Sequence, residues 1–75
     1  MKIVTGEYYT IRGPAELLTL KTECTRLIKL GERLFLIRAE KGPNCRRNYV
    51  FLTSSLELVF DNIRPEWFEE FYEKK

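Results

Sequence analysis

Hydrophobic positions in this chain fall in short runs separated by Gly, Pro, Asn and Ser, a spacing that predicts strands for most of its length. Gly6-Glu7 opens a strand over 8–12, rich in β-branched and aromatic residues, and Gly13-Pro14 ends it. Residues 17–22 alternate imperfectly and predict a second strand, although Ala15-Glu16-Leu17-Leu18 could open a short helix. A further short strand is expected over 27–30, followed by a tight turn in which Gly31 can take positive φ. Residues 34–39 are apolar on both faces, as in a strand lying centrally in a sheet. The stretch 40–44 (Glu-Lys-Gly-Pro-Asn) is a loop, and 49–53 returns as the partner strand, making a hairpin with a long basic tip.

Residues 47–60 combine an apolar strand, a polar break at Thr53-Ser54-Ser55 and a second apolar strand over 56–60. That pattern reads as a corner in a small, strongly bent sheet, with Leu56, Leu58 and Phe60 on one face and Glu57 on the other. Asp61-Asn62 closes the strand. Beyond it the period changes. Pro65 suits the first turn of a helix, Glu66 suits its positive end, and Lys74-Lys75 suit its negative end. Trp67, Phe68, Phe71 and Tyr72 form one aromatic stripe opposite Glu69, Glu70 and Glu73, and Ile63 could staple back onto Phe68. A helix over about 64–73 is too short to hold itself together and must dock on something. It either caps one open end of the barrel or offers its stripe to a partner.

Seventy-five residues suffice for one domain, here a barrel over about 1–61 plus the helix. The longest wholly apolar run, Leu34-Phe35-Leu36-Ile37, is far too short to span a membrane, and the first residues lack the apolar core of a signal peptide. The expected location is the cytoplasm. Cys24 and Cys45 are the only cysteines, and with no histidine in the chain they do not make a zinc site. Whether they bridge depends on loop geometry and redox compartment. The net charge of +2 is unevenly spread, with a basic zone over 21–50 and an acidic zone over 51–75.

The absence of histidine removes the commonest general base and the Ser-His and Cys-His pairs. No glycine-rich phosphate loop exists, and Ser54-Ser55 has no visible base, so its role is turn formation and no catalytic residue is expected. Two binding features remain. Arg38, Lys41, Arg46 and Arg47, with Tyr49 beside them, could contact phosphates while the ring stacks on a base. The stripe Trp67, Phe68, Phe71 and Tyr72 could anchor on a protein groove or a second copy.

The segments GEYYTI at 6–11, the apolar strand at 34–37, the aromatic strand at 49–52 and SSLELV at 54–59 resemble small phage and prophage proteins with SH3-like barrels. KLGERLFLI at 29–37 also resembles the diverging turn of such barrels. The tryptophan and acidic loop that grip proline-rich peptides in SH3 domains have no counterpart here. The resemblance implies a small accessory protein of viral or mobile-element origin, active in the host cytoplasm, and carries over no functional residue.

The expectation is thus a mostly β protein, an SH3-like antiparallel barrel of five or six strands with one C-terminal helix. It would be a non-enzymatic binding module without cofactor or metal, monomeric or homodimeric and not associated with membrane. A host or viral protein is the favoured partner. Nucleic acid bound through the loop 38–49 is the alternative.

Overall fold

Residues 3–75 are described by a computed structural model of the chain; the first two positions of the predicted barrel lie outside them. The strands are β1 (Tyr8–Ile11), β2 (Ala15–Thr19), β3 (Thr25–Ile28), β4 (Leu34–Lys41), β5 (Arg47–Leu52) and β6 (Leu58–Ile63). After the helix α1 (Pro65–Phe71) comes a last short strand, β7 (Tyr72–Lys74). All seven strands pair antiparallel in the order β3-β2-β6-β5-β4-β1-β7, curled into a half-barrel. The class is therefore mostly β and barrel-like, with seven strands in place of the expected five or six. β4 lies inside the sheet, between β1 and β5, as its two apolar faces predict.

Three local readings change. Ala15 to Leu18 form strand, because pairing with both β3 and β6 outweighs a marginal helical start. The break at residues 53–55 is a hairpin reversal, since β5 and β6 pair with each other from Leu52↔Leu58 to Arg47↔Ile63. Leu56 takes φ of +62°, its N–H donating to Thr53 O (2.9 Å), while Thr53 N–H donates to Glu57 O (2.9 Å). This is a three-residue loop with a left-handed third residue, and the Thr53 hydroxyl accepts the Glu57 N–H at 3.1 Å. Ser54 and Ser55 are turn formers, as expected. Leu56, however, is spent on the turn, and on β6 it is Val59 and Ile63 that enter the core while Leu58 and Phe60 face outward.

The tail also differs from a single helix over 64–73. Pro65 opens α1, but the helix stops at Phe71 and Tyr72 turns extended (φ −128°, ψ 150°). Otherwise β1 would present a bare edge; β7 covers it through Ile11↔Tyr72, Thr10↔Glu73 and Tyr9↔Lys74. Lys74 thereby serves the strand pairing, not the helix dipole. At the other turn, Gly31 adopts φ of +88° and Glu32 N–H donates to Lys29 O, as the sequence predicts.

The core fills the concave side. Tyr9, Ile11, Leu17, Ile28, Leu34, Leu36, Tyr49, Phe51, Val59 and Ile63 point inward, and α1 lowers Phe68 among them. The Phe68 ring lies 4.7 Å from Tyr49, 4.8 Å from Tyr72, 5.1 Å from Tyr9 and 6.3 Å from Phe51, centroid to centroid. One side chain of a two-turn helix thus joins strands β1, β5 and β7.

Candidate functional site

The five candidate residues of the basic hairpin do not come together on one open surface. Tyr49 is only 1% exposed, its ring against Phe68, so no base can stack on it. Inward alternation along β5 puts it there, a consequence of pairing Ala39↔Tyr49↔Asp61. Arg46 is held in place, its guanidinium over the Trp67 ring at 5.4 Å and donating to Asn62 O at 3.4 Å. Arg38 pairs with Glu40 at 3.3 Å. Lys41 and Arg47 remain exposed, directly opposite one another across the hairpin. A Cβ at Gly42 would stand 3.1 Å from Arg46 O and 3.2 Å from Asn62 Nδ2, so any side chain there would crowd the tip. Cys24 and Cys45 are both free and exposed.

The aromatic stripe splits. Phe68 and Tyr72 are buried in the core, Trp67 is half-buried beneath Arg46 and Arg64, and Phe71 alone is exposed. The stripe is mainly the plug of the half-barrel.

Two buried phenols have opposite fates. The Tyr72 hydroxyl donates to Asp61 Oδ2 at 2.8 Å. Burial lifts the Asp61 pKa above the ordinary carboxylate range, a rise partly offset by the bonds from Tyr72 and the Asn62 backbone. Burial, and then the neighbouring Asp61 carboxylate, push the Tyr72 phenol up as well. The Tyr49 hydroxyl is buried without a hydrogen-bond partner, and its phenol is raised chiefly by desolvation. A buried hydroxyl lacking a partner costs about 1–3 kcal/mol. Tyr49→Phe is therefore expected to raise stability by about 1 kcal/mol in urea titration, with no change in fold.

The feature that sequence reasoning missed is the outer face of the sheet. Antiparallel sheets with one solvated side usually place polar residues there. Here the outward positions Tyr8, Phe35, Leu52 and Leu58 stand opposite one another across β1, β4, β5 and β6, and Leu20 continues the row by donating its N–H to Leu58 O. A second row joins Val50, Phe60 and Leu18. Val50 is fully buried although it lies outside the core cluster, so this face has a small apolar floor of its own. At strand spacings of about 4.8 Å the band is about 19 Å long. The same face turns polar further along, where Arg38 pairs with Glu40 and Asn62 donates to Asn48.

The 53–57 turn stands at the rim of this band and presents Leu56, 78% exposed, between two grooves. One groove, of about 730 Å³, runs between Leu20, Leu56 and Leu58, with the Arg26–Glu57 ion pair (2.7 Å) in its wall. The other is bounded by Tyr8, Phe35 and Leu52, with Arg33 over the Tyr8 ring at 5.4 Å. The signal was present in the chain: Leu17-Leu18, Leu34 to Ile37, Tyr49 to Leu52 and Leu58 to Phe60 are apolar on both faces. One two-turn helix can cover only one side of the sheet they form.

Among the described residues, no three His, Cys, Asp or Glu side chains converge to hold a metal ion, and no helix is long and apolar enough to cross a membrane. The chain matches no known protein-family model, no curated protein and no solved structure at a significant level.

Proposed function

We propose that this chain is a non-enzymatic protein-binding module that docks through the outer face of its sheet. The apolar band carries the reading, because an unshielded row of Tyr, Phe and Leu over five strands is the kind of surface that marks an interaction site. The turn at Leu56 supports it. A non-glycine residue in the left-handed region costs roughly 1–2 kcal/mol, and the exposed Leu56 side chain recovers little of that by burial within the chain. Leu56→Gly is expected to stabilise the domain by about 0.5–1 kcal/mol after the entropy of glycine is deducted, while weakening docking. An SH3-like barrel and an origin among phage or mobile-element accessory proteins, acting in the host cytoplasm, accord with the resemblance of segments 6–11, 29–37, 49–52 and 54–59.

The test compares wild-type protein with Leu58→Asp, which changes an outward side chain on β6. Capture from host lysate should retain a protein partner at both ~50 and ~200 mM salt, and Leu58→Asp should lose it while keeping its circular dichroism spectrum. A second reading, anion or nucleic-acid binding, is favoured by the opposed cations Lys41 and Arg47. It requires affinity that falls steeply over that salt range, responds to Lys41→Ala and Arg47→Ala, and ignores Leu58→Asp.

A further inference from the structure

A seven-stranded open sheet has two free edges, and this chain treats them differently. At β7 the edge is guarded by charge: Glu73 pairs with Arg12 (3.9 Å) and Lys74 with Glu7 (3.8 Å). At β3 it is not. Thr19 N–H donates to Cys24 O at 2.9 Å and Thr19 O accepts from Glu23 N–H at 3.2 Å, so Thr19 bonds toward β3, whereas Leu20 N–H bonds toward β6 at Leu58 O. The register then runs Leu18↔Thr25, Leu17↔Arg26, Glu16↔Leu27 and Ala15↔Ile28. Because bonding alternates along an antiparallel ladder, Arg26 and Ile28 bond to β2, while Thr25 and Leu27 turn their N–H and C=O groups away from it. No other element or side chain claims those four groups among the described residues. Leu27 is 59% exposed beside them, and Leu30, just beyond the strand, is exposed as well.

We infer that the β3 edge is a docking site for an extended segment of another protein, which adds as an eighth, antiparallel strand. The ligand class follows from the chemistry of the edge. Two N–H/C=O sets, spaced two residues apart on one side of a strand, are matched only by another extended backbone. A second copy of this chain is a poor occupant. The self-pairing that uses both Thr25 and Leu27 sets Arg26 opposite its own copy and brings only the four residues of each β3 together. Two four-residue strands bury far less than the ~800 Å² per partner of a stable dimer. The segment that fits carries aliphatic or β-branched residues beside Leu27 and Thr25 and a non-basic residue opposite Arg26. The Arg26 side chain leans across β2, donating to Glu57 and to Ser55 Oγ (3.2 Å), so the incoming strand is not obstructed. Thr25 lies directly opposite Leu18, so the edge continues the second apolar row of the outer face, and a strand added there would lengthen that row while bonding only to the β3 backbone.

The test uses a capped heptapeptide, Thr-Val-Thr-Glu-Thr-Val-Thr or its Val-Glu-Val-centred analogue, titrated into ¹⁵N-labelled full-length protein to about 1 mM. The expected result is that the Thr25 and Leu27 amides shift downfield and gain protection from exchange, while Arg26 and Ile28, already bonded to β2, change least. Leu27→Pro removes one edge N–H without touching the β2 ladder and should weaken binding about tenfold or more. Should that variant fold poorly, the same loss is expected with wild-type protein and a Val-Glu-Val peptide N-methylated at both valines. Absence of shifts at Thr25 and Leu27, insensitivity to N-methylation, or a dimer in sedimentation that Leu27→Pro abolishes would each overturn the inference. Shifts confined to Leu18, Leu58 and Phe60 would overturn it too, and would leave the outer-face reading standing.

Discussion

Phe68→Ala is expected to unfold the protein or leave it close to its midpoint at room temperature. The side chain is fully buried and packs against Tyr9, Tyr49, Phe51 and Tyr72. Truncating a buried Phe to Ala costs about 3–5 kcal/mol. Native domains keep roughly 0.05–0.15 kcal/mol per residue in hand, so a chain of this size has little beyond that to lose. Urea titration by circular dichroism should show the midpoint collapsing toward zero denaturant. Phe71→Ala, three residues on and exposed, is the control and should shift the midpoint only slightly. A small effect of Phe68→Ala would mean that the half-barrel closes without its helix. Deletion of residues 64–75 should then also leave a folded sheet, and the aromatic tail would be free to serve a partner.

The second large effect is expected at Tyr72 and depends on pH. Its hydroxyl donates to the half-buried Asp61 carboxylate at 2.8 Å, and hydrogen bonds to charged groups contribute about 1.5–3 kcal/mol. Tyr72→Phe should therefore lose about 2 kcal/mol at pH 7. The sign of the pH dependence follows from Asp61, whose folded-state pKa is raised above the ordinary 3.8 mainly by burial. Between the ordinary value and the raised one the native state binds more protons than the unfolded chain, so stability from this group is full below the ordinary value and declines as pH rises through the raised one. Removing the Tyr72 donor raises the Asp61 pKa further. The loss caused by Tyr72→Phe should thus be larger at pH 7 than at pH 3.5, where the carboxyl is protonated. Asp61→Asn should flatten this part of the profile and stabilise the domain at neutral pH relative to wild type. Urea midpoints of the three proteins across pH 3–7 measure both effects. A Tyr72→Phe loss equal at both ends would show that the carboxylate's charge does not enter.

Much of the strand content was readable from short apolar runs between turn residues, and the turn at Gly31 and the helix start at Pro65 fell where their chemistry predicts. Two differences from the expected faces share one cause. Strand residues alternate sides, so a shift of one position exchanges inside for outside. Leu58 and Phe60 share one face, as the alternation predicts, but that face is the outer one and Val59 enters the core, while Leu56 takes the left-handed position of the turn. The neighbouring Arg46 and Arg47 suggest a solvent-facing Tyr49, whereas its pairing with Ala39 and Asp61 turns the ring inward. The end of α1 was displaced for a nonlocal reason, the demand of the β1 edge for a partner, which no window of local sequence contains.

Sequence alone settles the class of object: turn residues, apolar runs and a proline-led amphipathic segment are local physics, and they make a small, mostly β protein with one short helix near its C-terminal end. It also limits the chemistry, since a chain without histidine lacks the commonest base. The tertiary structure decided which half of every two-faced strand would be covered. With only seven helical residues to place over the sheet, one face became core and the other remained an apolar surface. Strand order likewise left β3 bare and β7 guarded, because which edge stays open depends on long-range pairing.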